Sequence, residues 1–448
     1  MSELEQYLQR YPDTQEIDFF IVDLCGIAVG KRYPVEEADA LFEKGSRICA
    51  ATYLLDVRGE SSDPLGYGFS DGDPDATMLA VPGTLVPAAS NGDTRAQCLA
   101  RLVYPDSGDS VWFEPRNILQ RVIDKFAESD FAPVVAIELE FYLTDKERDA
   151  DGSPLMPVSP YSGRREEAGQ VYGFDVLDEF EHVIKGLRET FVAQQLPASA
   201  TSSEYGVGQF EVNLRHTSDV LIACDQAAMQ RRAVRAVSRD AGFDATFMSK
   251  PFPEQPGNGM HVHLSLQDSE GRQLLDPKSD KSDALLESAI AGMQVTMAEA
   301  MLVFAPNINA LRRFKPDQFV PVTRDWGIDN RSMAFRIVDQ NNANRRIEHR
   351  VAGAEANPYL VMAAVLAGVH HGITHKLAPT PIASGNAGET VDETLPLTHW
   401  DAVAAMRAST ILNEYFGSDY IDAYTQVKEG EFAEFMGAAL SREYDWYF

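Results

Sequence analysis

Arg346-Ile347-Glu348-His349-Arg350, followed by Val351-Ala352-Gly353-Ala354-Glu355-Ala356-Asn357-Pro358-Tyr359, is the stretch around which the 448-residue chain is organised. Charges spaced by two among apolar neighbours predict a strand that projects Arg346, Glu348 and Arg350 onto one face. A buried sheet face is ordinarily apolar, so two guanidiniums around a carboxylate there need a guest. Anions and a metal ion are the candidates. The competing reading is a surface strand whose alternating charges are solvated. It loses ground because three other segments carry charge in the same misplaced way.

The first is Pro133 to Leu143, a β-rich apolar run that predicts a central strand yet carries Glu138 and Glu140 on one face. Two carboxylates side by side in a sheet repel unless a cation or a proton intervenes. The second, Ser203 to Asn213, sets Glu204 and Glu211 across a glycine-containing turn; alone, it reads more readily as a hairpin with surface acids. The third, Gly257 to Leu266, puts His261 and His263 on one strand face after a glycine turn. A histidine pair on a strand is more often a satisfied structural feature, but backbone next to a glycine turn can approach a ligand closely.

At 448 residues the chain exceeds the size at which one core stops growing. Two domains are expected, with Pro105-Asp106-Ser107-Gly108-Asp109 as the boundary: 1–108, a small α+β domain, and 109–448, a larger one. The formal net charge of -29 argues against nucleic acid or an anionic membrane as partner. An anionic ligand would need a local basic pocket, and Arg312, Arg313, Lys315, Arg324, Arg331, Arg336, Arg345, Arg346 and Arg350 supply a candidate. Cys25, Cys49, Cys98 and Cys224 are scattered, without metal-site spacing. With no basic-apolar leader and no apolar run of spanning length, the expectation is a soluble cytoplasmic protein.

Along the chain, strands are expected at 16–23, 30–35 and 48–55, and helices at 35–44, 115–126, 177–194, 224–241, 283–304 and 360–371. Segment 61–75 reads as a long loop whose acids are solvated, and polar, Pro/Gly-rich 149–171 as an insertion or lid.

Glu138, Glu140, Glu204, Glu211 and Glu348 with His261 make six candidate ligands, mostly hard oxygen donors. Such a set suits Mg²⁺ or Mn²⁺ and divides between two octahedral ions that also bind phosphate. Two dications with arginines describe an ATP phosphoryl-transfer site, without a Walker A or kinase glycine loop.

On these motifs the chain resembles the glutamine synthetase superfamily over nearly its whole length, with Asn330-Arg331-Ser332 to Arg336 and Asn357-Pro358-Tyr359 as further carriers. The resemblance implies an N-terminal β-grasp domain and a large catalytic α/β domain in homo-oligomers of hexameric rings, as hexamer or dodecamer, with active sites between subunits. It assigns Glu140, Glu204 and Glu211 to one metal and Glu138, His261 and Glu348 to the other. His263, Ser265, Arg331, Arg336 and Arg346 would serve ATP, Arg331 also stabilising the transferring group, and Gly257, Arg313 and Arg350 would hold L-glutamate. The implied chemistry forms γ-glutamyl phosphate, which an amine then attacks.

One departure matters. Ammonia-using members carry a glutamate where this chain has Phe319, and an apolar ring cannot bind or deprotonate ammonium. Asp56, matching an aspartate supplied by the adjacent subunit, is the candidate base, although Gly59 replaces a nearby serine. The sequence is most similar to γ-glutamylputrescine and γ-glutamylpolyamine synthetases, through segments such as Thr246-Phe247-Met248-Ser249-Lys250-Pro251. An alkylated primary amine is therefore expected as co-substrate, in amine catabolism. The amine is a monoamine or a polyamine such as putrescine, with Phe319, and Arg58 beside Asp56, leaning toward a monoamine with an apolar body. No tyrosine stands in the 385–396 loop, where adenylylated members carry theirs. The alternatives are an ordinary ammonia-using glutamine synthetase and a non-catalytic relative.

Overall fold

A computed structural model describes residues 1–165, 167–438 and 443. Two sheets organise it. The first holds β1 (Glu16–Val22), β2 (Ala28–Pro34), β3 (Ser46–Cys49), β4 (Asp75–Ala80), β5 (Val86–Pro87) and β6 (Arg95–Val103). Its order is β2-β1-β6-β4-β3, with β5 beside β6 and only β1 and β6 parallel.

The second sheet is built from β7 (Ala132–Thr144), β8 (Ala198–Ser203), β9 (Gln209–Leu214), β10 (Asp244–Thr246), β11 (Met260–Gln267), β12 (Trp326–Ile328), β13 (Phe335–Val338) and β14 (Arg346–His349). The order is β12-β13-β14-β11-β7-β9-β8, with β10 pairing the end of β7. β7 is central, as its apolar run predicts, and Val135, Ile137, Leu139 and Phe141 bury one face almost completely. Helices Val220–Asp240, Ser282–Phe304 and Pro358–His375 supply much of the core packed beside it.

Several expected elements change shape. Apolar segment 48–55 is not one strand: β3 ends at Cys49 and Ala50–Leu54 winds into a 3₁₀ helix. Its apolar run lacks period-two alternation, and Ala50, Ala51, Tyr53 and Leu54 all bury. The expected helix 177–194 divides into Phe174–Glu179 and Glu181–Ala193. Between them Phe180 turns inward, edge-on to Phe210 and Phe243. The 35–44 helix opens with a 3₁₀ turn at Val35–Glu37. The acids of the 61–75 loop cap the loop's own backbone, Asp63 accepting from the Ser70 amide and Asp71 from those of Gly68 and Asp73.

Asn357 joins the two sheets' regions. Its Oδ1 accepts from the Tyr359 and Leu360 amides and caps the helix Pro358–His375, while its Nδ2 donates to Asp23 O at 2.7 Å. A capping side chain here also anchors the turn after β1. Tyr359 OH donates to Asp225 Oδ1 at 2.7 Å, and Arg116 binds the same carboxylate. No helix among the described residues is long and apolar enough to cross a membrane.

Candidate active site

Antiparallel register decides which charges meet, because residues directly opposite each other share a face. Glu138 stands opposite His261 on one side and Asn213 on the other; Glu140 stands opposite Glu211. His263 stands opposite Glu348, and Glu348 opposite Arg336. Five strands thus present one polar face, which lines a cavity of about 650 Å³.

Oxygen and nitrogen atoms of Glu138, His261 and Glu348 lie within 4.8 Å of one another, as do those of Glu140, Glu211 and His261. His261 Nδ1 is 3.7 Å from both Glu138 Oε2 and Glu348 Oε1. Asn213 Nδ2 donates to Glu138 Oε1 at 2.6 Å, and the Gly259 amide to Glu140 Oε2 at 2.6 Å. The first trio is the expected set. In the second, the structure sets His261 where Glu204 is expected; Glu204 lines the same cavity but is not part of that cluster.

The electrostatics show what such a face lacks. Burial and repulsion from Glu138, Glu140 and Glu204 drive the Glu211 carboxyl far above its ordinary value. Burial and Glu140 likewise push Glu204 up to about 7. Burial opposes ionisation of Glu348, but Arg350, His261 and His263 overcome it and hold the carboxyl at about 2. Clustered hard oxygen donors that repel one another, with an imidazole among them, fit a divalent cation such as Mg²⁺ or Mn²⁺.

Arginines flank this cluster. Arg336 Nη1 donates to Glu348 Oε2 at 2.9 Å and Arg350 Nη1 to Glu348 Oε1 at 2.6 Å. Arg346 turns away from Glu348, its Nε donating to His263 Nδ1 at 3.3 Å and its Nη1 to Asp339 at 2.5 Å. Arg313 is buried with its Nε unpartnered, and burial pulls its guanidinium down to about 10. It lies against Gly257, where a Cβ would meet Ser249 O at 2.7 Å and Arg313 Cγ at 2.8 Å. The basic segment 312–350 is not one pocket. Arg324 pairs with Asp392 and buried Arg345 with Asp283, while Arg312 and Lys315 are exposed.

Arg313, Phe319, Arg331, Arg336, Arg346 and Arg350 line the cavity with His263 and Gly257. Phe319 sits on its wall, ring centroid 5.6 Å from that of Tyr205. Two expected residues lie elsewhere. Ser265 Oγ is spent on Gln273 Oε1 at 3.0 Å, outside the cavity lining. Asp56 is buried beside its own chain's C-terminal helix, its carboxylate taking the Arg58 and Glu60 amides and the Arg58 guanidinium. Burial opposes its ionisation, but those donors prevail and hold it below its ordinary value. Sequence reading misses Asn213, brought in by register opposite Glu138, Tyr205 in the turn between β8 and β9, and Tyr172, whose amide donates to Ser203 O at 3.0 Å.

A sheet face carrying two carboxylate clusters that could hold metal ions, flanked by arginines, is the candidate site. Residues 113–447 match the family described as glutamine synthetase, catalytic domain, and the chain belongs to that ligase family. It is 38% identical to γ-glutamylputrescine synthetase PuuA of Escherichia coli, over 99% of this chain and 94% of that one. It is 30% identical to γ-glutamylethanolamide synthetase GlnA4 of Streptomyces coelicolor, over 95% and 89%. Glutamate–isopropylamine ligase of a Pseudomonas species is 28% identical over 92% and 90%. The solved structure "GmaS/ADP complex-Conformation 1" superposes with a TM-score of 0.83 at 23% identity, covering 99% of this chain and 98% of that one, so the fold is shared.

Proposed function

We propose that the protein joins the γ-carboxylate of L-glutamate to a primary amine other than ammonia, driven by ATP through γ-glutamyl phosphate. The observation that carries the choice of amine is the Phe319 ring, placed on the cavity wall beside Tyr205, which itself offers an ammonium ion neither a charge nor a base. The names of the relatives, each a ligase of glutamate or its γ-glutamyl group with an organic amine, support the same reading.

Glu138, His261 and Glu348, and Glu140, Glu211 and Glu204, would hold two Mg²⁺ or Mn²⁺ ions, whose charge neutralises ATP phosphates. Arg336, Arg346 and His263 bind phosphate oxygens, and Arg331 holds the transferring group from the cavity mouth. Arg313, Arg350 and backbone at Gly257 hold the glutamate, the missing side chain at Gly257 letting Arg313 pack against it. Phe319 and Tyr205 present apolar ring surface to the incoming amine. An alkylammonium has a pKa near that of lysine, about 10.4, so a carboxylate must hold it and accept its proton. Asp56 from a neighbouring subunit of a hexameric ring is assigned that place, and residues 1–108 would then serve the adjacent catalytic domain.

The test is phosphate release with ATP, Mg²⁺ and glutamate against ammonium, 1,4-diaminobutane, spermidine and linear or branched monoamines. An organic amine is expected to be preferred by kcat/KM; preference for ammonium overturns the reading. Asp56→Asn with undiminished turnover at saturating amine would remove the role of Asp56.

A further inference from the structure

Gln209 lies on the cavity-facing side of β9, two residues before Glu211 and opposite Tyr142 in register. It is 2% exposed, and nothing in the chemistry above uses it. A buried side-chain amide destabilises the fold unless its oxygen and its nitrogen both find partners. Here both do. Oε1 accepts from the Gly206 amide at 3.0 Å, while Nε2 donates to Gly257 O at 3.1 Å and to Asn258 Oδ1 at 3.0 Å. Asn258, also buried, donates its own Nδ2 to Met248 O at 2.9 Å, so the two amides orient each other.

These contacts tie two turns together. The first carries Glu204 and Tyr205, and the Glu204 amide closes it on Gln209 O at 2.9 Å. The second carries Gly257, against which Arg313 packs. Two more bonds run alongside: Tyr142 OH donates to Pro256 O at 2.8 Å, and the Val207 amide to Gln255 Oε1 at 3.3 Å. Gly206 has no room for a side chain, since a Cβ there would overlap Tyr142 OH. Gly257 has no Cβ to restrict its backbone, and among the described residues only Gln209 donates to its carbonyl. The direction of the Gly257–Asn258 peptide is therefore set by a side chain of β9, from inside the cavity.

Resting on the proposed ligase reading, in which backbone at Gly257 holds glutamate, we infer that Gln209 is a positioning residue for that substrate. It fixes the Gly257–Asn258 peptide and, with it, the surface on which Arg313 packs. This role needs no contact with nucleotide or metal, so its loss falls on glutamate binding.

The test is steady-state kinetics and Mn²⁺ calorimetry on the full-length enzyme and on Gln209→Met, which keeps the length of the side chain and removes the amide. KM for glutamate is expected to rise about tenfold, the loss of about one net hydrogen bond. KM for ATP and Mn²⁺ affinity should stay within about twofold of the native values, and kcat should fall by less than KM rises. Tyr142→Phe, which removes only the bond to Pro256 O, should shift KM for glutamate in the same direction and by less. Equal changes in both KM values and in Mn²⁺ affinity, or an unchanged KM for glutamate, overturn the inference and leave Gln209 as a stitch between turns. Should Gln209→Met fail to fold, Tyr142→Phe decides, an unchanged KM for glutamate overturning the inference. A native enzyme that releases no phosphate in response to glutamate overturns the ligase reading itself, a result independent of both variants.

Discussion

Glu138 on β7 stands directly opposite His261 on β11, and His261 Nδ1 lies 3.7 Å from Glu138 Oε2 and from Glu348 Oε1 alike. One imidazole thus links carboxylates from two other strands and belongs to both clusters of candidate ligands. Glu138→Gln keeps size and the Asn213 contact while removing the charge. Mn²⁺ affinity measured by calorimetry is expected to fall at least about 100-fold, with phosphate release falling alongside it. Unchanged Mn²⁺ binding would move the metal away from this face.

Arg350 and Arg336 compensate Glu348, whose side chain is 2% exposed. Arg350→Ala leaves that buried carboxylate with one guanidinium. The metal-free protein should lose roughly 3 kcal/mol, read from the urea midpoint. Added Mg²⁺ should restore part of that loss if Glu348 is a ligand, and a midpoint indifferent to Mg²⁺ counts against it.

Gly257→Ala tests the glycine turn. The added methyl meets Ser249 O at 2.7 Å and Arg313 Cγ at 2.8 Å, so Arg313 must shift away from the cavity. KM for glutamate is expected to rise about tenfold or more, while KM for ATP stays close to that of the native enzyme. Equal effects on both substrates would point to general damage.

Glu114, nearly fully buried where the helix Pro115–Phe126 begins, sets a pH dependence away from the site. Burial raises its carboxyl from 4.5 to about 8 against the opposing Tyr53 hydrogen bond and Arg116 charge. A raised folded-state value binds the proton more tightly when folded. The stability it contributes is therefore full below about pH 4.5 and is lost as pH rises through about 8. Glu114→Gln is expected to flatten that slope and to be the more stable protein at pH 8, by on the order of a few kcal/mol. Thermal midpoints at pH 5 and pH 8 give the comparison; parallel midpoints would show that Glu114 stays ionised.

Where period and composition act locally, the sequence was readable. The helix Pro115–Phe126 begins at its proline and ends where the apolar stripe stops, and β7 extends the expected run by one residue at each end. The alternation of Glu138 and Glu140 with Val135, Ile137, Leu139 and Phe141 assigns each side chain to the cavity or the core. The break at Phe180 and the 3₁₀ winding after Cys49 were not readable, because each is forced by distant partners that receive the buried side chains.

The sequence by itself determined which residues share a face within each strand, since a pleat of period two leaves no other choice. It also determined the chemistry on offer: hard oxygen donors, an imidazole pair and guanidiniums. Only the tertiary structure decided which strands are neighbours, and with that the meeting of Glu138 with His261, of Glu140 with Glu211 and of Glu348 with Arg336. It also turned Ser265 out of the cavity and brought Tyr205 against Phe319. Pairing between strands far apart in sequence is set by burial of their apolar faces over the whole core, a balance no local pattern contains.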